Sequence, residues 1–130
     1  MKRIILIISL LICNLFAVDD LNIYSAFKKA QELNRPIYYI VTSASCEHCY
    51  KHLKNTIIPN NEVIRKDFIL AIADLSKGDK VPGDLPFDGY TPTTYIIAPN
   101  GNLMVSPLKG NFSQDYLYEV LDKVYKAYGN

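Results

Sequence analysis

Charge of either sign is scarce in excess: the 130 residues carry 14 basic and 13 acidic side chains, a formal net charge of +1. That balance offers none of the basic surplus that holds nucleic acid or an anionic membrane surface. Tryptophan is absent, histidine occurs twice and cysteine three times. With so few soft donors, a structural zinc site that wants four ligands has little to draw on. No internal repeat and no low-complexity tail interrupt the chain, and its length suits one domain with a single core. The longest apolar stretch, Ile4 to Ile12, falls well short of the roughly 20 residues that span a bilayer.

That stretch has a different meaning. Lys2 and Arg3 precede it, and Leu15-Phe16-Ala17 ends it with a small residue, the pattern of a secretory signal peptide. Residues 1–17 are therefore expected to be a signal peptide and 18–130 the exported domain, periplasmic or secreted after cleavage near Ala17. The alternative is an uncleaved N-terminal membrane anchor. Bulky Ile12 beside Cys13 argues against lipid attachment there. Cleavage removes Lys2 and Arg3 from the 14 basic residues, against 13 acidic, and so leaves the exported domain slightly acidic. It also removes Cys13, so Cys46 and Cys49 remain as an even pair in an oxidising compartment.

Cys46-Glu47-His48-Cys49 follows the apolar run Ile37-Tyr38-Tyr39-Ile40-Val41 and opens a segment with helical spacing. A strand feeding a C-x-x-C at a helix start is a redox arrangement. The unpaired N–H groups of a first helical turn, with the helix dipole, stabilise a thiolate, which is the nucleophile of disulfide exchange. Cys46, at the helix end, is the expected nucleophile, and Cys49, one turn deeper, the resolving thiol. His48 would favour the Cys46 thiolate and Glu47 oppose it. A purely structural disulfide is the competing reading, but closing so short a loop restrains the unfolded chain very little.

Around this motif, Asp19 or Asp20 caps an expected helix with Leu21, Tyr24, Phe27, Ala30 and Leu33 on one face. Asn34-Arg35-Pro36 ends it and launches a strand from Ile37 to about Thr42. Ser45 is the expected cap of the redox helix and Pro59 its stop, with a short helical turn from Asn60 to Lys66. Phe68 to Ala73 reads as a strand buried on both faces. From Leu75 to Tyr90 the glycines and prolines predict a loop long enough to serve the site. Thr93–Ala98 and Asn102–Ser106 flank Pro99-Asn100-Gly101 as a hairpin. Ser113 caps a last helix with Leu117, Val120, Leu121, Val124 and Tyr128 on its apolar face. Ten tyrosines are read mainly as packing, with Tyr50 and Tyr90 placed to line a substrate groove.

Taken together, Pro36 before an apolar strand, Cys46-Glu47-His48-Cys49 opening a helix, and Thr91-Pro92-Thr93 before a hairpin with Asn100-Gly101 resemble the thioredoxin-like family over about residues 20–128. The resemblance implies an α/β thioredoxin-like fold, a mixed central sheet of about four strands sandwiched by helices. It implies a protein-disulfide oxidoreductase that needs no cofactor. Its partners would be protein substrates bearing disulfides or thiols, with a membrane electron-relay protein as a further partner. It also implies a cis Pro92 packed on the active-site disulfide, with Thr91 and Pro92 presenting backbone groups to an extended substrate. Two positions depart from the family: Ser45 stands where an aromatic usually precedes the first cysteine, and Ile40 where thioredoxins bury an acid. The extra N-terminal strand of cytosolic thioredoxins has no clear counterpart. Lacking a dimerisation domain or a large helical insertion, the chain leans toward a reductase. The alternative function is copper or zinc binding by Cys46, Cys49 and a nearby histidine, His48 or His52.

Overall fold

The structure, a computed structural model, describes residues 21–128. The proposed signal segment, Cys13 and the candidate caps Asp19 and Asp20 lie outside the described residues.

The first helix, α1, spans Ile23–Leu33, and its cap is Asn22, whose side chain accepts the Ser25 N–H at 2.9 Å. At its other end Asn34 turns into the left-handed region (φ 52°), where the Asn34 N–H returns to the Ala30 carbonyl. Asparagine tolerates that conformation better than most residues. The expected face is borne out at Ala30, with Leu21 and Phe27 packed against the core, but not at Tyr24 and Leu33. Ile23, Ala26 and Ala30 face the core, whereas Tyr24 and Leu33 are exposed. Small Ala26 and Ala30 let the helix backbone sit close to the sheet, and the larger residues are left at the rim.

Four strands form one mixed sheet in the order β2–β1–β3–β4. Strand β1 (Ile37–Thr42) is buried along its whole length. It runs parallel to β2 (Ile69–Asp74), with Ile37 opposite Ile69, and antiparallel to β3 (Thr93–Ile97), with Ile40 opposite Thr94. Because successive side chains point to opposite faces, β1 feeds two cores. Ile37, Tyr39 and Val41 pack with Tyr95, Ile97 and the α1 face. Tyr38 and Ile40 pack on the other side with Ile57, Ile64, Leu117, Val120 and Val124.

The outer margin of β2 is occupied. Leu21 donates to the Leu70 carbonyl and accepts from Ile72 N, a one-residue parallel bridge to Ala71. Leu21 is thus bridged to the sheet edge where helix was expected. Further along, the Asp74 N–H donates to the Asp79 carboxylate at 2.8 Å.

The redox helix ends within one residue of its expected stop. Helix α2 (Glu47–His52) passes into a π turn (Leu53–Ile57) and a 3₁₀ turn (Ile58–Asn60), and the expected short helix follows as α3 (Asn61–Asp67). Pro59 has no N–H to give, and its ring would meet the carbonyl four residues back in a regular helix. The helix widens before it and tightens around it, and Asn60 (φ −112°, ψ 18°) then leaves the helical region before α3 begins.

The hairpin is also modified. Only Leu103 bridges back to Ile97, with Met104 N donating to the Ile96 carbonyl at 2.9 Å. The arm then leaves the ladder, and pairing resumes at β4 (Leu108–Lys109) against Thr93 and Thr94. Pro107, between the two contacts, cannot donate to a ladder. Helix α4 (Gln114–Tyr128) follows, with Ser113 Oγ accepting from Tyr116 N at 3.2 Å as expected of a cap.

Candidate active site

Cys46 is itself the N-cap of α2: its backbone is extended (φ −98°, ψ 110°) and its sulfur accepts the Cys49 N–H at 3.1 Å. Ser45, the expected cap, instead shares a hydrogen bond with Ser43 at 3.3 Å. The geometry explains the difference. The residue whose side chain reaches the third N–H of the first turn is the one immediately before the helix, and here that residue is the cysteine. A sulfur held this way meets the helix dipole and a directed N–H, both of which favour negative charge on it. Cys46 and Cys49 are joined as a disulfide with 5.2 Å between their Cα atoms. Cys46 is half-buried, whereas Cys49 is 1% exposed.

The other residues of the four-residue motif, Glu47 and His48, are both exposed. Glu47 is exposed and pairs with Lys51 at 3.4 Å, one turn along the helix. That pairing draws its carboxylate along the helix surface. His48 is exposed on the first turn.

The Thr91-Pro92 segment comes to the cysteines from the loop before β3. Its peptide bond is cis, and the Thr91 carbonyl oxygen lies 3.5 Å from the Cys46 sulfur. Pro92 is buried and Thr91 half-buried. The Pro92 carbonyl already accepts the Gly110 N–H at 2.7 Å, and proline has no N–H, so the backbone groups left to face an incoming chain are those of Thr91. Gly110 adopts φ +92°, a conformation that glycine reaches without cost. The Tyr90 ring comes within 3.8 Å of where a Cβ on Gly110 would stand, which puts Tyr90 at this rim. Tyr50 is exposed next to Cys49 in sequence, with the Lys54 ammonium 5.7 Å from its ring centre.

The loop from Leu75 to Tyr90 serves the site as a support. It opens with a 3₁₀ turn (Leu75–Lys77), and Ser76 Oγ accepts from Ala44 N at 3.2 Å, just before the cysteines. At its far end Thr93 donates to the Tyr90 carbonyl at 2.6 Å, and Asp88 pairs with Lys109 of β4. Leu85 is buried in the first core, and the Tyr95 hydroxyl donates to the Pro86 carbonyl at 3.2 Å.

Behind α2 lies a buried polar ladder that reading the sequence for chemistry did not assemble. His52, Thr56 and Asn60 recur every fourth residue and all are buried. His52 Nδ1 lies 3.2 Å from Asn111 Oδ1, and its ring meets Phe112 edge-on at 4.5 Å. Thr56 donates to the Phe112 carbonyl at 2.6 Å; Asn60 donates to the Thr56 carbonyl and to Gln114, and accepts from the Tyr118 hydroxyl. The four-residue spacing of His52, Thr56 and Asn60 was visible, but their partners in 111–118 were not.

The metal reading does not gather its ligands. His48 is exposed and His52 fully buried, and among the described residues no three His, Cys, Asp or Glu side chains group to hold a metal ion.

No protein-family model and no curated protein matches this sequence. Solved structures do. The DsbH oxidoreductase superposes with a TM-score of 0.61 at 12% identity, over 82% of this chain and 83% of that one. The oxidised C-terminal domain of Neisseria meningitidis DsbD gives 0.60 at 14% identity, over 81% and 98%. A thioredoxin from Thermus thermophilus gives 0.60 at 20% identity, over 79% and 83%. The chain has the thioredoxin-like fold. Within the thioredoxin-like frame, the paired cysteines at a helix start and the Thr91-Pro92 segment facing them are this chain's own arrangement. Among the described residues, no helix is long and apolar enough to cross a membrane.

Proposed function

We propose that this chain is an exported thiol–disulfide oxidoreductase that exchanges disulfides with protein substrates through Cys46 and Cys49. One observation carries the reading: the Cys46 sulfur receives the Cys49 N–H at the start of α2 and lies beside the Thr91 carbonyl, with its disulfide partner buried behind it. In the reducing direction the Cys46 thiolate attacks a substrate disulfide, forming a mixed disulfide and releasing one substrate thiolate. Cys49 then attacks Cys46, and the second substrate thiol leaves with the pair oxidised. An extended substrate segment lies against the free backbone groups of Thr91. Trapping supplies the test. A Cys49→Ser variant accumulates mixed disulfides with disulfide-bonded insulin as well as with native clients, and a Cys46→Ser variant traps nothing. If Cys46→Ser reduces insulin as fast as the unaltered protein, the proposal fails.

The direction we assign is reductase, with the exported domain oxidised by its clients and re-reduced by a membrane electron-relay protein. Supporting it are the signal-like segment Lys2-Arg3 to Ala17 and the fold shared with the DsbD C-terminal domain. A reduction potential measured against glutathione near roughly −300 to −200 mV is expected, whereas a value as oxidising as about −120 mV overturns the assignment.

A further inference from the structure

We infer that His52 receives the proton that Cys49 loses when it resolves the mixed disulfide; the inference rests on the exchange reaction proposed above. The resolving step has an unmet requirement in this chain. Cys49 is 1% exposed, and a thiol attacks as its thiolate, so a proton must leave an enclosed sulfur. The β1 position facing this side of the sheet is Ile40, packed in the apolar cluster, which has no group to take it.

His52 is the group in place. It lies three residues beyond Cys49 on α2, a spacing that puts two side chains on one helix face, and it is fully buried. Its Nδ1 lies 3.2 Å from Asn111 Oδ1 and, at a longer 3.5 Å, from the Phe112 backbone nitrogen. In the tautomer that the nearer partner selects, Nδ1–H donates to Asn111 Oδ1 and Nε2 carries the ring's lone pair. That Nε2 is buried and makes no hydrogen bond, an expense that buried polar atoms rarely incur without a role. It has company. Thr94, opposite Ile40 on β3, and Tyr38, two residues before Ile40, bury hydroxyls that interact with each other. Both point to the side of the sheet that α2 covers, since they share parity with Ile96 and Ile40.

No other buried side chain competes. Among the described residues no Asp, Glu, Lys or Arg is buried, and the buried polar set beyond tyrosines and Cys49 is Thr42, His52, Thr56, Asn60, Thr93 and Thr94. The titratable groups around His52 are Cys49 on its own helix, Tyr38 on β1, and Tyr116 and Tyr118 on α4, reached through Phe112 and Asn60. Burial holds the His52 pKa below its ordinary value, against the Asn111 hydrogen bond that raises it, so the imidazole is neutral and able to accept at neutral pH. In the step, the Cys49 S–H bond breaks and its proton moves to His52 Nε2. The thiolate displaces the substrate sulfur from Cys46, and the departing thiolate takes up a proton as His52 returns to neutrality.

Ellman's reagent separates the steps. Reduced protein attacks it through Cys46, releasing one thionitrobenzoate in a concentration-dependent phase. Cys49 then releases the second in a phase independent of reagent concentration. His52→Asn keeps a polar atom for Asn111 and removes Nε2; His52→Gln does the converse and serves if the first variant does not fold. At neutral pH, His52→Asn is expected to slow the second phase by about 100-fold and leave the first within about two-fold. The deficit narrows at alkaline pH, where the thiol ionises unaided, and His52→Gln, whose amide nitrogen accepts no proton, is slowed alike. An unchanged second phase, or a slowing that is the same at all pH values, overturns the inference. Absence of a two-phase reaction in the unaltered protein overturns the exchange reading instead.

Discussion

The Cys49 N–H donates to the Cys46 sulfur at 3.1 Å, so one sulfur both closes the helix start and presents itself for reaction. Stability and reactivity therefore meet in a single atom, and substitution separates them. In reducing conditions Cys46→Ser retains an acceptor for that N–H and Cys46→Ala does not. Cys46→Ala is expected to be less stable than Cys46→Ser by about 1 kcal/mol, with neither reducing insulin. Urea melts in the presence of reductant check this, and coincident midpoints would remove the cap from the account.

Gly110 ties the Thr91-Pro92 segment to the strand end through its 2.7 Å bond to Pro92, at φ +92°. Alanine there costs about 1–2 kcal/mol of backbone strain. Because the strain falls beside Thr91, Gly110→Ala should also lower kcat/KM for a peptide disulfide several-fold. Gly101 has the same φ in the hairpin turn, away from the cysteines, and Gly101→Ala should lose similar stability at unchanged kcat/KM. Equal kinetic effects at the two sites would sever this link.

Asn60 donates to the Thr56 carbonyl and Gln114 and accepts from Tyr118, at 3% exposure. Asn60→Ala leaves the buried Thr56 carbonyl without its partner, whereas exposed Gln114 and Tyr118 turn to solvent, at a cost of about 1–2 kcal/mol. A loss below about 0.5 kcal/mol in chemical denaturation would mean that water replaces the amide.

Burial, and after it the Asp79 carboxylate with Tyr95 and Tyr24, pushes the Tyr39 pKa up to about 12 from 10.0. A raised folded-state value means that the native state holds the proton more tightly. The stabilisation is complete below pH 10 and is lost as pH rises through about 12, on the order of 2–3 kcal/mol. Tyr39→Phe removes that share of the loss. It should be neutral or stabilising below about pH 9, because the Tyr39 hydroxyl is buried without a partner. Stability curves from about pH 8 to 12 for the two proteins test both statements.

Much of the fold and the centre of the site were legible because they depend on local chemistry. Cys46 and Cys49 announce themselves by spacing, β1 by its unbroken apolar run, and the last helix by Ser113 and the Leu117–Val120–Val124 face. Other features turned on distant neighbours. Which residues of α1 go deepest depends on how closely the sheet permits approach, and that buried Ile23 and Ala26 where Tyr24 and Leu33 were expected. Pro59 reads as a stop and the helix does end one residue beyond it, but local rules that treat a helix as regular do not show the π and 3₁₀ turns leading up to that end. His52 drew notice as a metal donor, but its partners Asn111 and Phe112 lie about 60 positions away.

The bonds along the outer side of β2 have a final consequence. Residues 70, 72 and 74, whose polar groups point away from β1, already engage Leu21 and Asp79, and the opposite strand, Leu108–Lys109, is two residues long and ends in a lysine. Neither border offers a long run of vacant amides for a stray β-segment to zip onto. The sheet thereby keeps both flanks guarded against recruitment into another chain's aggregate.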